Sequence, residues 1–133
     1  MRDRAHEGCN GSGDEQHPDP GITLEKYRGE VKILLDGVPL AASSQALVLQ
    51  ESGYAPVYYF PRGDVQMELL VRTGHGTYCP YKGHASYWTI RSGGKVMENA
   101  AWSYEAPYDE VLAIKGCIAF HRHGLDIQLV EAR

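Results

Sequence analysis

Cys79, Lys82 and Gly83 fall close together in the stretch Thr77-Tyr78-Cys79-Pro80-Tyr81-Lys82-Gly83-His84-Ala85-Ser86-Tyr87-Trp88. A thiolate is the nucleophilic form of cysteine, and a nearby cation lowers the thiol's ordinary pKa of about 8.5. Lys82, two residues past Pro80, can curl back towards the sulfur across a tight turn, and His75 or His84 can supply a base. Lys82 can also hold an anion or act as a desolvated amine. Cys79 and Lys82 are therefore the candidate catalytic residues. The same residues equally make a corner in a β-sheet, with Cys79 as a small buried apolar group and Gly83 at positive φ. The sequence leaves both readings open.

Glu51 and Asp64 fall, like Cys79 and Lys82, at loop positions bordering strands, and function concentrates on loops held by rigid scaffolds. Should Glu51 and Lys82 meet in the fold, they make a polar cluster beside Tyr58, Tyr81 and Trp88. Tyrosine outnumbers phenylalanine nine to two, which points to rings whose hydroxyls stay in a wet cleft. Tyr58, Tyr81, Trp88 and Trp102 are the candidate walls of that cleft. Trp102 and Tyr104 fall on one face of a strand, opposite Ser103. The candidate ligand-binding set is thus Glu51, Tyr58, Asp64, Tyr81, Trp88, Trp102 and Tyr104. His75, Cys79 and His84 resemble loose metal ligands, but a fourth ligand is missing and the spacing matches no zinc signature. Neither a metal nor a cofactor is expected.

The elements that must position these residues read as short strands. From Ile22 onward, turn signals recur between β-prone runs, which predicts an all-β barrel or sandwich. Val31 to Leu35 reads as a strand, Asp36-Gly37 as a hairpin turn, and Val38 to Ala42 as the return. Pro39 cannot donate to a ladder, so that return strand lies at an edge or bulges. Ala46 to Gln50 and Val57 to Phe60 are further strands, with a loop from Glu51 to Pro56. Asp64 to Leu70 reads either as a capped helical turn or as a strand, and the alternation of Val65, Met67 and Leu69 favours the strand. Ala85 to Arg91 and Lys95 to Ala101 form a hairpin through Ser92-Gly93-Gly94. Glu105 to Glu110 is a loop or single turn around Pro107. Ile114 to His121 and Leu125 to Val130 read as a last hairpin, turning at His123-Gly124. The expected class is mainly β, a single small antiparallel barrel-like or roll-like domain with short turns of helix.

The chain divides into a tail, residues 1–20, and a single β-rich domain, residues 21–133. The first segment is rich in Gly, Asp, Glu, His, Asn and Pro and has almost nothing to bury, so it reads as flexible. His6, Cys9 and His17 within it are too loosely held to preorganise a metal site. A length of 133 residues suits one domain with one real core. The net charge of −4 supplies no basic patch of the kind that binds nucleic acid, so no nucleic-acid partner is expected. No apolar run is long enough to cross a bilayer as a helix, and the first residues hold no secretory apolar core. No membrane association is expected. Three cysteines without a CxxC spacing argue against a disulfide framework. A reducing cytoplasm is the expected compartment.

Several ordered motifs carry a resemblance. They are Glu51-x-Gly53-Tyr54-x-Pro56-Val57-Tyr58-Tyr59-Phe60-Pro61, Asp64-Val65, Thr77-x-Cys79-Pro80-Tyr81-Lys82-Gly83-x-Ala85-x-Tyr87-Trp88, Ala101-Trp102-x-Tyr104-x-x-Pro107, and Gly116 to Phe120. From Val31 to Val130 the chain resembles a small, mostly bacterial domain family of unknown function, sometimes labelled a nucleotidyltransferase domain. The resemblance implies a compact β-rich domain and supplies no catalytic residues. His84 and His121 depart from the family's usual residues without touching Cys79 to Gly83. The transferase label finds little support in the residues. Nucleotidyl transfer needs metal-bridged phosphates held by clustered carboxylates. The domain body has no Asp-x-Asp or Asp-x-Glu pair and no phosphate-binding GxxxxGK[ST] loop.

Three functions fit these observations. The first is a domain that binds a small molecule or peptide in an aromatic cleft near the Cys79–Gly83 turn. The second is an enzyme, a hydrolase or group transferase, using Cys79 or Lys82. The third is an interaction module that forms a homodimer or meets a partner through sheet edges or aromatic surface. They rank in that order.

Overall fold

The computed structural model describes residues 21–132. Those residues are mainly β, with helical turns that are all short 3-10 segments. The strands are β1 (Ile22–Lys26), β2 (Gly29–Leu35), β3 (Val38–Ser43), β4 (Leu47–Glu51), β5 (Val57–Tyr59), β6 (Leu70–Cys79), β7 (Gly83–Ser92), β8 (Lys95–Tyr104), β9 (Ile118–Phe120) and β10 (Asp126–Glu131). They build three antiparallel sheets in the orders β1-β4-β5, β10-β2-β3 and β6-β7-β8-β9. The first and third are stitched together where Phe60 and Ile118 exchange backbone hydrogen bonds at 2.8 and 2.9 Å. Barrel-like or roll-like is therefore an approximate description of three sheets rather than one closed ladder.

The expected hairpins form where turn chemistry is strongest. Asp36 and Gly37 take φ of 50° and 81° between β2 and β3, the positive pair that a primed two-residue turn requires. Gly93 and Gly94 do the same between β7 and β8. Pro39 behaves as its missing N–H dictates. It lies in β3, at an edge of its sheet, beside a register shift between Ile33 and Leu34.

Two expectations fail. The segment 64–70 is not a strand. Arg62–Asp64 and Met67–Leu69 are 3-10 turns flanking a single bridge from Val65 to Ala41. Here Gln66 donates its N–H to Leu40 O at 2.8 Å, so the segment caps the open edge of β3 instead of extending a ladder. The last hairpin is also absent. Leu112 and Ile114 belong to a 3-10 segment, Asp109–Ile114, and strand β9 is only three residues long. It pairs with β8, whereas β10 pairs with β2. The turn near Gly124 exists, but the two strands it joins go to different sheets. The flexible tail proposed for residues 1–20, with His6, Cys9 and His17, lies outside the described residues.

Strand alternation gives the third sheet two apolar faces. Tyr87 and Trp102 point into one cluster with Leu49, Tyr59, Cys79, Tyr104, Ile114 and Ala119. Ile90 and Ala101 point the other way, into a cluster with Val31, Ile33, Leu40, Phe60 and Phe120. The first sheet packs on one face, and the second packs on the part of the other face around Ile90 and Ala101.

Candidate functional site

Strand β6 ends at Cys79 and β7 begins at Gly83, so Pro80, Tyr81 and Lys82 make the turn between them. Lys82 donates its N–H to Cys79 O at 3.2 Å, closing the turn, and its own carbonyl accepts the N–H of Tyr108 at 3.0 Å. Gly83 takes φ of +115°, as the turn reading required, and a Cβ there would sit 3.4 Å from Ala106 O. The chain therefore folds tightly here, with the strap at Ala106–Tyr108 lying against it.

That geometry sends the Lys82 side chain inward. Its Nζ donates to Glu51 Oε1 at 2.8 Å and to Cys79 Sγ at 3.6 Å. Glu51 arrives from the end of β4, in the facing sheet. Both members are buried, with side-chain exposures of 1% for Lys82 and 7% for Glu51. The conditional expectation that Glu51 and Lys82 meet is thus realised.

The rings around the pair are a different set from those the sequence suggested. Trp102 and Tyr104 share a buried cluster with Cys79, and Tyr81 packs on its margin. Trp88 and Tyr58 pack against the other cluster. Tyr58 lies edge-on to Tyr27, 6.0 Å between centroids. Asp64 also lies elsewhere, accepting a hydrogen bond from Ser43 Oγ at 2.6 Å. Two rings that sequence reasoning missed complete the site. Tyr59 is fully buried and its hydroxyl accepts the indole N–H of Trp102 at 3.3 Å. Tyr87 is likewise buried, and its hydroxyl shares a 3.0 Å hydrogen bond with Thr77 Oγ1. No sequence signal separates Tyr59 from Tyr58, since their cross-strand partners, Leu47 and Val48, are both apolar.

Burial pushes the Tyr59 hydroxyl well above its ordinary value. The Trp102 hydrogen bond opposes that rise, and Glu51, Tyr87 and Cys117 add to it. Tyr59 is therefore a neutral hydroxyl within electrostatic reach of Glu51. Burial likewise raises the Cys117 thiol, partly offset by Arg62. Cys117 is a free buried cysteine. Cys79 is disulfide-bonded, one cross-link where the cysteine count had argued against a framework of them.

His75 meets Tyr87 edge-on and His84 lies tilted against Tyr78, at centroid distances of 4.5 and 4.8 Å. No group of three or more His, Cys, Asp or Glu side chains suited to a metal occurs among the described residues. Nor does any described helix have the length and apolarity to cross a membrane.

A family model, described as a domain of unknown function (DUF427), matches residues 23–131. The chain belongs to this family. It is the family of unknown function that the Cys79–Gly83 and Trp102–Pro107 motifs suggested, and the match spans every described strand but the first residue of β1. No curated protein matches the chain. The family's description assigns no activity.

Proposed function

We propose that this domain binds a small molecule or peptide beside the Cys79–Gly83 turn. The Glu51–Lys82 pair is the polar anchor, and Tyr59, Tyr81, Tyr87, Trp102 and Tyr104 are the walls. The observation that carries the reading is the burial of that ion pair beside the aromatic cluster that holds Cys79 and Tyr59. Taking charges out of water costs several kcal/mol per ion, and apolar residues of similar volume often stabilise a fold as well or better. A charged pair in such a place serves recognition better than stability, because a ligand bearing its own charge can exchange for one member. The closed turn keeps solvent from Lys82, so binding includes an opening of the turn, and the Tyr108-to-Lys82 backbone hydrogen bond is one it must loosen.

Thermal melting of the wild type and of the double variant Glu51→Gln/Lys82→Met tests this, using a panel of amino acids, small carboxylates and small amines. A ligand that binds only the native state adds about 2.7 kcal/mol at a hundred times its Kd. One compound class is expected to raise the wild-type Tm and leave the double variant unmoved. If both proteins melt cooperatively and no compound separates them, the pair is structural and the reading falls.

A second reading has one distance in its favour. Lys82 Nζ lies 3.6 Å from Cys79 Sγ, close enough for its charge to favour a thiolate. Because Cys79 is disulfide-bonded in this structure, such an enzyme would act in its reduced form. Fast alkylation of Cys79 below neutral pH in the reduced, folded protein supports this reading. Labelling of Cys79 only on unfolding removes it.

A further inference from the structure

Arg72, Ser86 and Trp88 converge on the face of the third sheet opposite Tyr87 and Trp102. Ser86 and Trp88 alternate with Ala85 and Tyr87 along β7, so they project from the other side. Arg72 of β6 is the register partner of Trp88, and Gly76 is that of Ser86. The ladder is irregular on both flanks of this point. Register shifts fall between Arg72 and Gly76 and between Trp88 and Ile90. Asn99, on the neighbouring strand, takes φ of 51°. Bulges of this kind re-aim side chains, and they gather beside functional sites. Thr73 fixes the irregular backbone, its Oγ1 donating to Asn99 Oδ1 at 2.7 Å and accepting the His75 N–H at 3.2 Å.

A closed polar ring, with Ser103 buried and Arg62 and Glu105 half-exposed, holds Trp88. The indole N–H donates to Ser103 Oγ at 3.1 Å, and Ser103 donates to Glu105. Glu105 accepts from Arg62 at 2.6 Å, and the Arg62 guanidinium carbon returns to within 5.2 Å of the Trp88 ring centre. Arg62 is held further by Gly116 O at 3.0 Å. The charges of Arg62 and Glu105 therefore cancel within the ring.

Arg72 is different. It is exposed, lies 5.8 Å from the same ring centre, and donates to Ser86 Oγ at 2.8 Å. Among the described residues no carboxylate forms an ion pair with it, and Glu105, which feels its charge, is already paired with Arg62. Its guanidinium stays charged and has five N–H donors in a planar fork. Ser86 accepts from Arg72, which leaves its hydroxyl proton to donate outward. A local excess of positive charge with converging donors, on a ring held by Ser103, stands on a chain of net charge −4.

We propose that Arg72 and Ser86, seated on Trp88 and backed by Arg62, bind an oxyanion, the carboxylate or phosphate group of a ligand. Carboxylate and phosphate both match the fork of a guanidinium, which binds them through two parallel hydrogen bonds. The site lies across the sheet from the Glu51–Lys82 pair and does not depend on the reading given to that pair.

The test is an NMR titration of the nitrogen-15-labelled full chain with inorganic phosphate and, separately, with acetate, at constant ionic strength. The signals followed are the Arg72 side-chain Nε–H and the Trp88 indole N–H. The expected result is a saturable shift of both with at least one anion. It should be lost in Arg72→Gln, weakened in Ser86→Ala, and partly kept in Arg72→Lys, which retains the charge but not the fork. Saturation by phosphate alone assigns the phosphate group, and saturation by acetate alone assigns the carboxylate. Shifts that grow linearly with both anions overturn the proposal. So does saturation that survives in a folded Arg72→Gln protein.

Discussion

Lys82 Nζ meets Glu51 Oε1 at 2.8 Å across 31 residues of sequence, joining the turn after β6 to the end of β4. Removing one partner leaves the other charge buried, which costs about 3–5 kcal/mol. Lys82→Met and Glu51→Gln are each expected to lower the stability measured by urea unfolding, the former the more because a glutamine amide oxygen can still accept from Lys82 whereas a methionine has nothing to donate to Glu51. The double variant should recover most of the loss. A double variant as unstable as the sum of the two single changes would show that the two side chains act independently.

Gly29 opens β2 at φ of +140°, and a Cβ on it would lie 2.1 Å from Val130 O and 2.9 Å from Ala132 N. Both are backbone atoms of the partner strand and its continuation, so neither can swing aside. Gly29→Ala is expected to pry β10 from β2 and to cost at least about 3 kcal/mol, the upper end of ordinary overpacking. Hydrogen exchange should then lose protection first along β10. Unchanged protection there would contradict the predicted clash.

Gly83 combines positive φ with a backbone neighbour at 3.4 Å. A β-branched residue is strongly disfavoured at such an angle, so Gly83→Val should abolish cooperative melting. A Gly83→Val protein that melts like wild type would remove the structural account of the turn.

Burial pushes the Glu105 carboxyl up, but the hydrogen bonds from Ser103 and Arg62 and the charges of Arg62 and Arg72 outweigh it. Its pKa therefore lies below the ordinary 4.5. A depressed folded-state pKa contributes stability that is present above the unfolded value and lost as pH falls through the folded one. Glu105→Gln should therefore be less stable than wild type at neutral pH, and the two should converge as pH drops below 4.5. Urea midpoints that stay equally separated into acid would contradict this.

Tyr59 has the opposite sign. Its folded-state pKa is raised above the ordinary 10.0, chiefly by burial. Stability that rests on the neutral hydroxyl is complete below that pH and declines above it, as the unfolded chain ionises and the folded one does not. Tyr59→Phe deprives the Trp102 indole of its acceptor, which costs about 1–3 kcal/mol at neutral pH. The difference from wild type should narrow in alkali above pH 10.0, as followed by unfolding midpoints.

Local chemistry was the legible part of this chain. Asp36-Gly37 and Gly93-Gly94 announced their hairpins because positive φ is a property of the turn residues themselves. Pro39 announced its edge for the same reason. Partner choice was not legible. His123-Gly124 marks a turn, yet nothing near it says that β9 belongs to β8 and β10 to β2. Strand β6 escaped notice because Gly74 and Gly76 interrupt its alternation and a bulge carries Thr73 to His75 out of register. In the site, Cys79, Lys82 and Gly83 stood out by type and spacing, and Glu51 by its loop position. Tyr59 and Tyr87 did not, since their burial is decided by which sheet lies across from them. Arg62 and Arg72 were passed over because surface arginine is ordinary until a shared tryptophan brings two together.

The pairing of β2 with β10 has a consequence for synthesis. Strand β2 leaves the ribosome well before β10, the strand that completes its outer edge. Until Asp126–Glu131 is available, that edge offers unpaired N–H and C=O groups to any neighbouring chain. Contacts between such distant segments also form slowly. The nascent domain therefore stays open along one side while β3 to β9 are being made. Stalled or truncated chains ending before Asp126 should be the species that aggregate.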